Sequence, residues 1–247
     1  MTSDVTLVST TGRTDLDEQA EDLFSGSWPE FIFHDLGVKP FLRRRAAYFA
    51  DWDFYALDSQ RRLVGAGYGV PLRWDGTLEN LPEGYTDALG RSVAEHESEV
   101  APNTLVIMGA MVRADESGRG WAGQVLQAQR VNAVDRGMDS VIAPVRPTLK
   151  HRYPLMDIET FAAWTRADGL PFDPWVRTHA RLGATILRCA PTSQTMTGTA
   201  AEWESWTGMA LPSSGDYVIP QGLSVLHLNR AEDIGVYHEP NIWMRHV

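Results

Sequence analysis

The sequence predicts a mixed α/β domain of the α+β type, with an antiparallel hairpin in its first half. Three observations carry that expectation. In DFYALDSQRRLVGAGYGVPLRW (53–74), two apolar runs flank the polar turn Ser59–Arg61, which is the pattern of a hairpin. The apolar stretch TLVIMGAMVR (104–113) passes through a charged, glycine-rich turn, ADESGRGWAG (114–123), into an amphipathic helix. Strand-like and helix-like segments also alternate along the chain, with no repeat and no low-complexity linker between them. With 247 residues, 43% of them hydrophobic and 22% charged, the chain is long and apolar enough to bury a sizeable core.

Val5–Ser9 alternates and reads as a strand. Thr14–Phe24 reads as a helix with Leu16, Ala20, Leu23 and Phe24 on one face and Gly26 beyond its end. A second helix is expected over 41–49, then the hairpin, a helix over about 86–97 and the strand 104–113. The helix after the glycine turn should run to about Arg136, and SVIAPVR (140–146) is a further strand. Asp157 is placed to cap a helix bearing Ile158, Phe161, Ala162 and Thr165, stopped by Gly169. Asp173 caps the next, with Pro174 at its first position and Gly183 past its end. In TAAEW (199–203), Thr199 and Glu202 form a capping box. LSVLHLN (223–229) and NIWMRH (241–246) supply late strands.

The formal net charge of −10 argues against a nucleic-acid partner, which normally needs a basic stripe. The one basic run, Arg43–Arg45, reads as a solvated helix face. One cysteine, Cys189, excludes a disulfide framework and a thiolate metal site, and its setting in ATILRCA reads as a buried thiol. The seven histidines are scattered, so no metal is expected. The N-terminus has no basic start and no apolar stretch, and no segment approaches 18 apolar residues. A cytoplasmic protein without a membrane span is expected.

Gly118, Gly120 and Gly123 spell G-x-G-x-x-G between a strand and a helix, the dinucleotide fingerprint. About a hundred residues and a hairpin precede it, unlike a Rossmann domain, and the following strand ends in Arg146 rather than an acid. Arg146 would suit a 2′-phosphate, so an NADP-dependent oxidoreductase stays as an alternative. In either reading, backbone N–H groups over 118–123 converge at a helix N-terminus. That is a phosphate cradle, with Arg119 adding a cation at its rim.

These residues resemble the acyl-CoA motif of the GCN5-related N-acetyltransferase (GNAT) superfamily, in which an apolar strand is followed by Arg/Gln-x-x-Gly-x-Gly/Ala opening a helix. Here the stretch is Ser117-Gly118-Arg119-Gly120-Trp121-Ala122, with Gly120 and Ala122 matching. Ser117 stands where the family usually has Arg or Gln. The element order also resembles the family's, and WVRTHARLGATIL (175–187) is similar to its helix-turn-strand ending in Leu-Tyr-x-x-x-Gly-Phe. The resemblance implies one mixed, mostly antiparallel sheet with a central splay, flanked by helices. It also implies a single domain over 1–247, with a lid-like insert at about 149–173 and a C-terminal extension from about 190. Gly109 suggests a bulge in the motif strand, and Pro144 a strand that parts from its neighbour. By the family's pattern the pantetheine arm lies in that gap, bonded to backbone near Met111 and Val112, while Ser117, Gly118, Arg119, Gly120, Trp121, Ala122 and Gly123 hold the phosphates.

The implied activity is acyl transfer, most simply of acetyl, from acetyl-CoA or another acyl-CoA to a small-molecule amine, directly in a ternary complex. A homodimer is compatible with it, and neither nucleic acid nor membrane is a partner. The family often uses a tyrosine four residues before the glycine of its last motif as the acid for the departing thiolate. His179 holds that position here, four before Gly183, and an imidazole can shuttle a proton. Trp175, His179 and Leu182 share a helical face, so a packed histidine is the competing reading. His151 and Tyr153 are weaker candidates, and Asp157 or Glu159 are candidate bases. The tryptophans of EWESWTGM (202–209) either line the acceptor region or pack. The second alternative function is an acyl-CoA-binding protein without catalysis, suggested by Ser117 and the missing tyrosine.

Overall fold

The computed structural model describes residues 6–116 and 120–246. Ser117, Gly118 and Arg119 of the expected cradle lie outside the described residues. The chain begins with strand β1 (Thr6–Ser9), helix α1 (Asp17–Ser27) and helix α2 (Leu42–Tyr48). The hairpin follows as β2 (Phe54–Leu57) and β3 (Leu63–Leu72). Its turn closes because Asp58 Oδ1 accepts N–H bonds from Gln60 and Arg62, both at 2.9 Å, while Arg61 takes the left-handed conformation. Next come α3 (Tyr85–Glu97), β4 (Thr104–Val112), α4 (Trp121–Asp135) and β5 (Ser140–Val145).

The second half holds α5 (Ile158–Ala162), α6 (Pro174–Arg181), β6 (Thr185–Gly198), α7 (Ala200–Thr207), β7 (Gly215–Val218), β8 (Val225–Asn229) and β9 (Ile234–His246). Asp173 caps α6, its Oδ1 accepting from Trp175 and Val176 N–H, and Gly183 past the end has φ +88°. The capping box at Thr199 and Glu202 is present at α7. Helix α5 is shorter than its apolar spacing suggests. It stops at Ala162, and Thr165 instead pairs with Pro171 across a tight turn closed by Arg166 N–H to Leu170 O.

The strands form one nine-stranded sheet in the order β1-β2-β3-β4-β5-β9-β8-β7, with β6 also pairing β9. Among the described residues only the β4–β5 pair is parallel, and every other pairing is antiparallel. The 13-residue β9 joins the two halves. Ile242–His246 pair with β5, Ile234–Tyr237 pair with β8, and β6 runs along the other edge. The chain beyond residue 190 is therefore not an appendage: it supplies the strand that completes the sheet's centre.

The largest core packs α3, α4, β3–β5 and β9 around Leu105, Val106, Leu126 and Trp243. A second core under α7 centres on Trp203, Tyr237 and Phe31. Trp203 is thus a core residue, and Trp206 stacks on His34 at 4.0 Å. Among the described residues, no helix is long and apolar enough to cross a membrane.

Candidate active site

The ladder between β4 and β5 is short. It pairs Thr104–Val106 with Ser140–Ile142 and then ends, and the two strands part. A cavity of about 740 Å³ opens there, walled by Ile107–Val112 on one side and Ala143–Val145 on the other. Two sequence features produce the parting. In β4, Gly109 lies opposite Tyr68 and Ile107 opposite Gly69, so Met108 is an extra residue and the strand bulges. A side chain at 109 has no room, because a Cβ there would sit 2.0 Å from the Tyr68 ring. Pro144 falls in the part of β5 that has left β4 and pairs instead with Trp243 of β9. An open ladder edge inside a sheet leaves backbone donors and acceptors for an amide-bearing chain, and Met111 and Val112 are on that edge.

The cavity reaches the start of α4, where Ala122 lines it. Gly120 caps this helix with φ +84°, a conformation that favours glycine. The first-turn N–H groups of Trp121, Ala122 and Gly123 have no partner within the helix. Together with the positive end of a 15-residue helix, they fit a phosphate group. The Trp121 side chain takes no part, being buried in the core with its indole N–H donated to Glu116 at 3.2 Å. Glu116 is itself buried and paired with Arg62. That explains the acids before the glycines: Glu116 ties the turn to the hairpin.

His179 lines the same cavity, with 1% of its surface exposed. Its Nδ1 lies 2.9 Å from Nε2 of His246, and its ring meets Trp175 edge-on at 4.6 Å. Among the described residues its Nε2 has no hydrogen-bond partner, and neither has Nδ1 of His246. Burial, and secondarily the neighbouring His246, pushes His179 down to about 3. Burial, with Arg130 as a lesser cause, pushes His246 down to about 4. Both rings are neutral at pH 7, and one hydrogen is shared along the 2.9 Å line.

The expected lid contributes no wall to this cavity among the described residues. Tyr153, Phe161, Trp164 and Phe172 close on one another with ring centroids 4.9–6.3 Å apart, and Ile158 and Phe161 enter the main core. Aromatic packing decided this segment. His151, Tyr153, Asp157 and Glu159 are not on the cavity, and Asp157 is occupied as the cap of α5. Arg45 corrects the solvated reading of the basic run. It turns inward, pairs with Asp53 and lies over the Tyr68 ring at 5.2 Å.

Tyr68, Tyr85 and Asp35 had no signal in the sequence, whereas Arg146 was marked there for a different role. Tyr68 and Tyr85 bring their hydroxyls to 3.5 Å, and burial raises both phenols, Tyr85 well above its ordinary value. Arg146 pairs with the fully buried Glu239, which also accepts from Tyr237 Oη. Burial raises the Glu239 carboxyl, opposed by Arg146. Asp35 stands at the cavity wall between α3 and β6.

No family model matches the chain. A sequence relative, the arginine N-acetyltransferase avaD of Aspergillus versicolor, is 27% identical over 254 residues, covering 92% of this chain and 87% of the relative. Among solved structures, the loading GNATL domain of CurA from Lyngbya majuscula superposes with a TM-score of 0.61. It is 13% identical and covers 98% of this chain and 97% of its own. The GphF GNAT-like decarboxylase in complex with isobutyryl-CoA gives 0.59 at 14% identity, covering 99% and 98%. At these identities the likeness to the two structures is one of fold. With one parallel strand pair there is no doubly wound sheet, so the dinucleotide alternative loses its structural basis. Its splayed mixed sheet and glycine-capped α4 give this chain the fold of the GCN5-related N-acetyltransferases, and in sequence it is similar to an N-acetyltransferase.

Proposed function

We propose that this protein is an acyl-CoA-dependent N-acyltransferase that passes an acetyl group directly, in a ternary complex, to a small amine that also carries a guanidinium. The acceptor class follows the arginine named for the sequence relative. One observation supports the reading most: a single cavity runs from the helix terminus at Ala122, through the splay at Met111 and Val112, to the acid Asp35. Acyl-CoA enters by the cradle end, with its phosphates on the first turn of α4 and its pantetheine along β4.

His179 is the proton-handling residue of this proposal. One proton must move from the attacking nitrogen to the departing sulfur. A buried neutral imidazole is a poor store of that proton but a suitable relay. Nε2 accepts the proton and returns it, while the Nδ1–Nε2 contact to His246 lets charge spread over two rings. Tyr68 and Tyr85 stay protonated, so their hydroxyls remain donors in the cavity. The same proposal includes a cytoplasmic setting and no nucleic-acid partner, the latter supported by the charge of −10.

The test is His179→Ala with acetyl-CoA and arginine. A relay role predicts a loss in kcat of roughly 10²–10⁴ with little change in KM for acetyl-CoA. A lower Tm with normal turnover per folded molecule would make His179 a packing residue only.

A further inference from the structure

Asp35 is 3% exposed, yet it lines the cavity. It follows the short turn Glu30–His34 and is locked from three sides. Oδ1 accepts the Gly37 N–H at 2.8 Å, and Oδ2 accepts the Thr86 hydroxyl at 2.7 Å and the Gln194 amide at 3.4 Å. A backbone bridge to Met196 fastens it to β6. All three partners donate, as a carboxylate anion requires, and all three are neutral.

Two carboxylates line the cavity among the described residues, and they differ. Asp53 is held by the Arg45 guanidinium, whereas Asp35 has no cationic group within ion-pair distance among the described residues. Buried carboxylates are normally paired with a cation. From these contacts we infer that Asp35 is the anchor for the acceptor's guanidinium, which completes the ion pair the fold leaves open. The inference rests on the cationic-amine reading proposed above.

The geometry favours a guanidinium over a lone ammonium. A carboxylate has about four acceptor sites. Oδ1 has used one, and the second bond to Oδ2, at 3.4 Å, is longer than the usual 2.7–3.2 Å of an N–H···O bond. Oδ1 therefore keeps a free lone pair, and the long Gln194 contact leaves Oδ2 open to exchange for the second arm of a fork, the arrangement a planar guanidinium matches. Trp28, Phe33, Tyr68, Tyr85 and Leu89 wall the same cavity. They offer aromatic and aliphatic surface to a methylene stem, so the acceptor amine lies at the far end of that stem, toward the splay.

Calorimetry with arginine and with citrulline, its uncharged urea counterpart, tests the assignment on wild type and Asp35→Asn, with turnover measured in parallel. Wild type should prefer arginine. Asp35→Asn should weaken arginine by roughly 10- to 100-fold, the scale of a hydrogen bond to a charged group, and leave citrulline nearly unchanged. Equal binding of the two ligands by wild type, no arginine binding at all, or full arginine affinity in a folded Asp35→Asn would each overturn it. If Asp35→Asn does not fold, Asp35→Glu, which keeps the charge but displaces it by one methylene, should show the same loss. Selective arginine binding without acetyl transfer would leave the anchor standing and remove the acyltransferase reading.

Discussion

Lowering the pH from 7 to 5 should destabilise this protein through two rings in particular. His179 and His246 are 1% and 0% exposed, with pKa values pushed down to about 3 and about 4 from an ordinary 6.5. In the unfolded chain both rings take up a proton as pH falls through 6.5, whereas in the folded chain they stay neutral until about 4. The unfolded state binds more protons over that interval, so stability is lost as pH falls and is fully present above it. With these values each ring costs about 2 kcal/mol between pH 7 and pH 5, or about 4 kcal/mol together. That is a large share of the stability of an ordinary domain. Urea unfolding of wild type and His179→Phe at the two pH values isolates one ring, because all other titrating groups cancel in the double difference. Wild type should lose about 2 kcal/mol more than the variant. Equal losses would mean that His179 is solvated or charged in the folded state, and the neutral relay would fail with it.

Gly109→Ala should close the bulge region or displace Tyr68, since its Cβ would lie 2.0 Å from that ring. A loss of about 1–3 kcal/mol in urea unfolding and weaker CoA binding by calorimetry are expected. Gly120→Ala forces a side chain into φ +84° and should cost about 1–2 kcal/mol. Gly120→Glu adds an anion at the cradle and should abolish CoA binding in a folded protein. Thr199→Ala removes the side-chain half of the α7 capping box and should cost about 1 kcal/mol with no effect on CoA affinity, measured by urea unfolding and calorimetry.

Local rules are legible in the sequence because they act over a few residues. The polar turn Ser59–Arg61, Asp173 and Thr199 mark a turn and two helix starts, closed in the structure by bonds spanning at most four positions. Gly109 and Pro144 announce the splay because each removes something a regular ladder needs, a side-chain position or an N–H. The glycine cap of α4 is legible for the same reason, since Gly120 and its helix are neighbours in the chain.

What the sequence does not carry is decided across distance. The polar second half of β6 and the four-residue β7 are strands only because β9 and β8 are there to pair with them. The 149–173 segment packs on itself and on the core because its aromatic rings find one another and the core. His179 acquires its low pKa first from burial in the assembled core, and its hydrogen-bond partner His246 lies 67 positions away. Asp35 becomes a buried acid through Thr86 and Gln194, 51 and 159 positions away. Burial and charge pairing are properties of assembled surfaces, so only the tertiary structure turns these residues into a site.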